Sequence, residues 1–247
     1  MSVSQSTTSN ILLQTLSPAD YALLEPHLER TTLKVRDCLY TANEPIERVY
    51  FPEGGLASIV SEYEHGDVVE IGLFGKDGFS GSAVVLSAGQ SPKTSFIQVG
   101  DAPSLSLRSE HLLAACERSK SLLNLLLRFT HTLSVQVGST AAANAHFALP
   151  ERLARWLLMC HDRIDDDQIE LTHEFMSIML AVRRSGVTVT LHTLEATGAI
   201  RSTRGLVRIL DRSRLEEIDG SSYGQSEAEY RRLISPHEGH HDTTAVD

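Results

Sequence analysis

The stretch from Thr172 to Leu210, THEFMSIMLAVRRSGVTVTLHTLEATGAIRSTRGLVRIL, decides the fold. Thr172 precedes an apolar-periodic run and can cap a helix, with Glu174 near the positive helix end. Phe175, Met176, Met179 and Leu180 form the apolar face of that helix, and Ala181-Val182 reads as a tight turn. Beyond it Val187, Leu191 and Leu194 recur at i, i+4 and i+7, which predicts a second helix stopped by Gly198. Local propensity objects, because Gly186 and the β-branched run Val187–Thr190 favour a strand. The helical spacing overrides it, since a strand would leave Leu194 without a face. Two short apolar segments then flank Thr203-Arg204-Gly205 and read as a hairpin. Helix, turn, helix and basic hairpin together make a winged helix-turn-helix.

The charge pattern supports this locally and opposes it globally. The 247 residues carry a formal net charge of −10, which argues against a nucleic-acid partner. Yet Arg183, Arg184, Arg201, Arg204, Arg208, Arg212 and Arg214 fall within residues 180–214, opposed there only by Glu195 and Asp211. Arginine suits forked contacts to phosphate and guanine. The acidity belongs to the rest of the chain.

Working outward, Pro150 opens a helix with Leu153, Leu157 and Leu158 on one side. Before it, residues 117–147 read as one long helix. Leu122, Leu126, Phe129, Leu133, Gln136 and Thr140 recur with spacings of four and three, a coiled-coil seam. About 30 residues at 1.5 Å each span about 45 Å, longer than a small sheet domain covers, so the seam is expected to pair with a second copy. From Thr31 to Arg108 the texture is different. "RVYF", "LASIVSEY", "VVEIGLF" and "TSFIQV" alternate at period two between Gly- and Asp-rich turns. This predicts an antiparallel β-roll. The expected organisation is α+β: a loose tail over 1–9, a roll over 10–116, a dimerisation helix over 117–147, a winged helix-turn-helix over 148–218 and a polar disordered tail over 219–247.

The segments "VYFPEGGLASIV", "VVEIGLFGKDGFSG", "RLARWLLM", "LTHEFMSIMLAVRRSGVTVTLHTLEATGAI" and "RGLVRILD", in this order, carry a resemblance. From about Asn10 to Ile218 the chain resembles the family of the cyclic-AMP receptor protein and the fumarate–nitrate reduction regulator (Crp/Fnr). The resemblance implies a cyclic-nucleotide-binding-like jelly-roll, a dimer helix and a winged helix-turn-helix. It further implies a bacterial, homodimeric transcription regulator that binds double-stranded DNA and works with RNA polymerase. The family's motif falls on Leu171–Val189. Arg184 matches its base-reading arginine, Ser185 stands where a glutamate is usual, Val189 where a second arginine is usual, and Arg183 replaces the serine cap. Thr172, Arg183, Thr188, Thr190, Arg201 and Arg204 are candidate phosphate anchors.

The effector pocket departs further from the family pattern. A Gly-Glu pair followed by Arg and Ser or Thr grips the cyclic nucleotide there; here the places read Gly81-Ser82 and Lys93-Thr94. Losing the carboxylate and the forked guanidinium removes that grip, so cyclic AMP is not expected and no cofactor is predicted. Haem stays open, because one buried histidine suffices for it. Cys38, Cys116 and Cys160 lie too far apart for the closely spaced set an iron–sulfur cluster needs. The cluster His237-Glu238-Gly239-His240-His241 has no scaffold to set metal geometry, so no metal site is expected. No P-loop, nucleophile elbow or zinc-protease motif occurs, and no enzymatic activity is expected. No apolar run reaches the 18 residues of a membrane span and no basic residue precedes Arg30, so the expected partners exclude membrane and the expected location is the cytoplasm. The substitutions at Ser185 and Val189 leave one alternative: a ligand-sensing module acting through protein partners without DNA.

Overall fold

The computed structural model describes residues 3–63 and 67–234. Two short helices open the chain, each capped by its own preceding residue. Asn10 accepts from the Leu13 N–H ahead of α1 (Ile11–Thr15), and Ser17, followed by Pro18, accepts from Asp20 ahead of α2 (Pro18–Leu24). Seven strands follow: β1 (Glu29–Leu33), β2 (Cys38–Tyr40), β3 (Arg48–Pro52), β4 (Leu56–Glu62), β5 (Val68–Phe74), β6 (Thr94–Val99) and β7 (Ala102–Arg108), with the small helix α3 (Ser82–Val85) before β6. They pair antiparallel in two sheets ordered β1-β7-β3 and β2-β6-β4-β5. Their inner faces meet over Phe51, Phe74, Phe79, Ile97, Leu105 and Leu107, all at most 1% exposed. This is the expected roll.

The helix expected over 117–147 is two. α4 (Ser109–Arg118) ends at Ser119, which is extended (φ −135°, ψ 109°), and α5 (Lys120–His146) begins there. The Ser119 hydroxyl accepts from Leu122 N–H and donates to Asp20. A serine with both partners gains more as a cap than as helix interior.

The helical C-terminal part is α6 (Leu149–His161), α7 (His173–Leu180), α8 (Arg184–Ala196) and α9 (Arg212–Ile218). With them goes a three-stranded sheet of β8 (Gln168–Glu170), β10 (Leu206–Ile209) and β9 (Ile200–Thr203), with β10 central. Its core joins Leu153, Trp156, Leu157, Met176, Leu191, Leu194 and Leu215 to Leu56, Leu73 and Val99 of the roll. The two halves therefore share buried surface.

Both expected tails need correction. Residues 3–9 are packed: Val3 is 4% exposed, its carbonyl accepts from Tyr21 Oη, and Gln5 Nε2 donates to the carbonyls of Leu13 and Leu16. A polar segment without periodicity has become ordered through side-chain bonds to the ends of α1. At the other end, the span expected to be disordered forms α10 (Gln225–Ile234) on α5. Ile234 is 1% exposed, and Tyr230 Oη donates to the Asp77 carbonyl at 2.7 Å. Tyr230, Leu233 and Ile234 sit at i, i+3 and i+4, a face too short to alter the composition of a polar segment but enough to dock. The His237–His241 cluster lies outside the described residues.

Candidate nucleic-acid interface

The turn between α7 and α8 is built as the sequence predicts. Thr172 Oγ1 accepts from Phe175 N–H, capping α7. Ala181 closes α7 in the left-handed region (φ 52°, ψ 46°), and Val182 N–H reaches back to the Ser177 carbonyl. Arg183 stands at the N-cap of α8 without a side-chain cap bond. Val187, Leu191 and Leu194 are buried beneath α8, so the Gly186–Thr190 stretch is helical despite its propensity. Packing of one apolar face outweighs a few tenths of a kcal/mol of propensity per residue.

The face left to solvent carries Arg184, Ser185, Val189, His192 and Thr193. The Arg184 side chain is 67% exposed and forms an ion pair with Glu174 at 3.2 Å. Val189 is 66% exposed, an apolar side chain held in water at the middle of the helix. The wing turns at Gly205 (φ 76°), placing Arg204 at its tip with Arg201 and Arg208 exposed on its strands. Arg183, Arg201, Arg204 and Arg208 make no ion pair among the described residues. Arg212 and Arg214 are taken up within the protein: Arg212 pairs with Asp162 and Glu216 at 2.9 Å each, and Arg214 with Glu217 at 2.6 Å. Two of the seven clustered arginines are thus structural.

Of the candidate anchors, Thr190 is corrected. It is 3% exposed and its hydroxyl donates to the Gly186 carbonyl, so it faces the core. Thr188 is half-buried between His173 and the Arg184 carbonyl, and Thr172 is exposed but serves as the α7 cap. Arg183, Arg184 and Ser185 are exposed at the start of α8, and Arg201 and Arg204 are exposed on the wing. Sequence reasoning missed His192, and it noted Val189 and Arg208 without counting either as a candidate contact. Val189 and His192 follow from Ser185 at i+4 and i+7, a signal open to anyone reading the face opposite the buried one.

The candidate effector residues bond to separate neighbours. Ser82 Oγ accepts from Thr130, while Lys93 Nζ donates to Ser61 and Thr94 Oγ1 accepts from Ala42 N–H. The interior of the roll beside Gly81 is occupied by its own side chains. Phe51 and Phe79 stack at 5.4 Å, Phe129 of α5 lies 5.4 Å from Phe79, and a Cβ on Gly78 would stand 2.4 Å from the Phe129 ring. The histidines among the described residues are exposed or half-buried.

The expected dimer seam is corrected as well. Leu122, Leu126 and Phe129 are at most 2% exposed and lie in the core of the roll. Leu133 packs beside that core, Gln136 Oε1 accepts from Leu73 N–H at 2.8 Å, and Thr140 Oγ1 accepts from Arg155. The periodic stripe faces the chain's own sheet. A seven-residue repeat fixes which residues share a face, and the roll offers that face a nearer partner than a second copy.

A helix-turn-helix with an arginine-bearing wing, carried beside an antiparallel roll and a long helix, defines a class of DNA-binding regulators. Residues 151–218 match the Crp-like helix-turn-helix domain, and this part of the chain is such a domain. No curated protein sequence matches the chain. Among solved structures, a protein from Eubacterium rectale assigned to the Crp/Fnr transcriptional regulators is similar at 18% identity and a TM-score of 0.67, covering 85% of this chain and 98% of its own. A CRP-family transcriptional regulator from Thermus thermophilus is similar at 20% identity and TM-score 0.66, covering 78% and 98%. The c-di-GMP-responsive global regulator of Xanthomonas campestris follows at 16%, TM-score 0.62, covering 78% and 99%. The chain has the Crp/Fnr fold. No helix among the described residues is long and apolar enough to cross a membrane.

Proposed function

We propose that the protein is a sequence-specific DNA-binding transcription regulator that inserts α8 into the major groove. The observation that carries this is the set of exposed arginines that form no ion pair among the described residues, Arg183, Arg201, Arg204 and Arg208, beside the exposed Arg184. Exposed guanidinium groups on one surface of an acidic protein suit phosphate and guanine, and Val189 suits a thymine methyl. The reading includes a homodimer on a two-fold-related operator, paired through the face of α5 that the chain leaves exposed past Leu133, and contact with RNA polymerase. Cyclic AMP is not the effector in this reading, which rests on Ser82 in place of the family's glutamate and Lys93 in place of its arginine. Selection of bound DNA from a random pool tests the proposal. Enrichment of a two-fold-related sequence, with affinity falling steeply as salt rises, is the expected result. No enrichment, or affinity untouched by Arg184→Ala, would favour action through protein partners instead.

A further inference from the structure

A cavity of about 150 Å3 lies where α10 packs on α5, bordered also by the start of α1, the end of β5 and the residues just after α6. It exists because α10 docks there: Tyr230 Oη donates to the Asp77 carbonyl at 2.7 Å, and Ile234 is 1% exposed. Residues 225–234 lie outside the stretch 151–218 that matches the helix-turn-helix family, so this wall is no part of that domain. The cavity is also separate from Gly81, Ser82, Lys93 and Thr94, none of which lines it.

Leu73, Phe129 and Leu133 give the cavity an apolar wall. Two buried side chains in the wall keep a donor unused. Gln136 is 5% exposed; its Oε1 accepts from Leu73 N–H at 2.8 Å, while its Nε2 has no partner among the described residues. Arg163 is 7% exposed, and its Nε has none either. Charge is not what is missing. Arg163 pairs with Asp77 at 2.8 Å, and Glu227 adds a second negative charge nearby. Both unused groups are donors, so the cavity lacks an acceptor. One water would satisfy one donor, but a cavity of about 150 Å3 has room for a six-membered ring. Water filling the remainder would find no partners on Leu73, Phe129 and Leu133, whereas an apolar ring would bury their surface.

We propose that this cavity binds a neutral cyclic molecule of about six or seven non-hydrogen atoms with one hydrogen-bond acceptor, its ring against Phe129 and Leu133 and its acceptor on Gln136 Nε2. Arg231 lines the cavity and is exposed, so the site reaches solvent. A ligand there would tie α10 to α5 and to the end of β5. The proposal does not rest on the DNA-binding reading, and its test uses no DNA. The probe is cyclohexanone, a six-membered ring with one carbonyl, titrated into the full chain and followed by NMR. Saturable binding is expected, with nuclear Overhauser contacts from the probe to the Phe129 ring and the Leu133 methyls. Gln136→Glu keeps an oxygen for Leu73 N–H and removes the donor, so it should weaken binding about tenfold or more. Ser226→Leu, on α10, should fill the cavity and abolish binding. Circular dichroism shows which variants fold, and the contacts in the wild type decide the matter if neither does. A response that never saturates, contacts only to residues elsewhere, or wild-type affinity in a folded variant would overturn the proposal.

Discussion

The interior of the roll and the surface of α8 with its wing use their residues in opposite ways. In the roll, Phe51, Phe79 and Phe129 pack against one another beside Gly81, and the Ser82 hydroxyl next to it accepts from Thr130. On the winged helix, five arginines are exposed, and among the described residues Arg184 alone of them forms an ion pair. A site that must meet a changing, charged partner keeps its groups solvated until contact, whereas a site that has become structural fills itself. The contrast teaches that one chain can keep charged groups in water on one part of its fold while another part is closed by its own apolar side chains.

Breaking the filled side should have the largest effect. Phe79→Ala removes a fully buried ring and should cost about 3–5 kcal/mol in urea denaturation, since the cavity cannot be refilled from its rigid neighbours. A loss below about 1 kcal/mol would mean that the roll is loosely packed and a ligand space remains.

The seam between the regions responds to pH. Glu70 is raised from 4.5 to about 7 chiefly by burial, so the folded state holds its proton more tightly than the unfolded chain. Its contribution is fully present below about pH 4.5 and is lost as pH rises through 7. At 1.36 kcal/mol per unit the loss is about 3 kcal/mol at most. Denaturation of wild type and Glu70→Gln across pH 5–8 should show stability falling with pH relative to the variant. Parallel curves would place Glu70 in water.

The open side should behave differently. Arg184→Ala should lower affinity for the selected sequence by about 1–3 kcal/mol and relax preference at one base position, with stability changed by less than about 0.5 kcal/mol. Anisotropy titrations and urea melts measure the two together. The smallest effect is expected at the wing. Arg204→Ala should weaken binding evenly across sequences and reduce the salt slope by about one, as loss of a single phosphate contact does.

Much of this was legible in the chain. Capping at Thr172, the i, i+4, i+7 series through Leu194 and the turn at Gly205 specify the helix-turn-helix and its wing, because each is a local relation along the backbone. The reading went astray wherever the question was what covers a face. Leu122, Leu126 and Phe129 were correctly grouped, yet they meet the chain's own roll rather than a second copy. Thr190 lies one turn from exposed neighbours and points inward, where only the packing of α8 decides. Arg212 is indistinguishable in sequence from Arg204 until Asp162, Glu216 and Tyr223 converge on it.

The sequence by itself determined the order of elements, the winged helix-turn-helix and the position of the arginine cluster, since periodicity and caps act within a few residues of each other. The tertiary structure alone decided the seam. Residues Leu56–Ser61 of β4 are buried without alternation, and Ser58, Glu70 and Gln98 turn their polar groups away from water toward Trp156 and Met179. A strand's period says which side chains share a face. What lies against that face depends on contacts between residues far apart in the chain, and no local pattern encodes them.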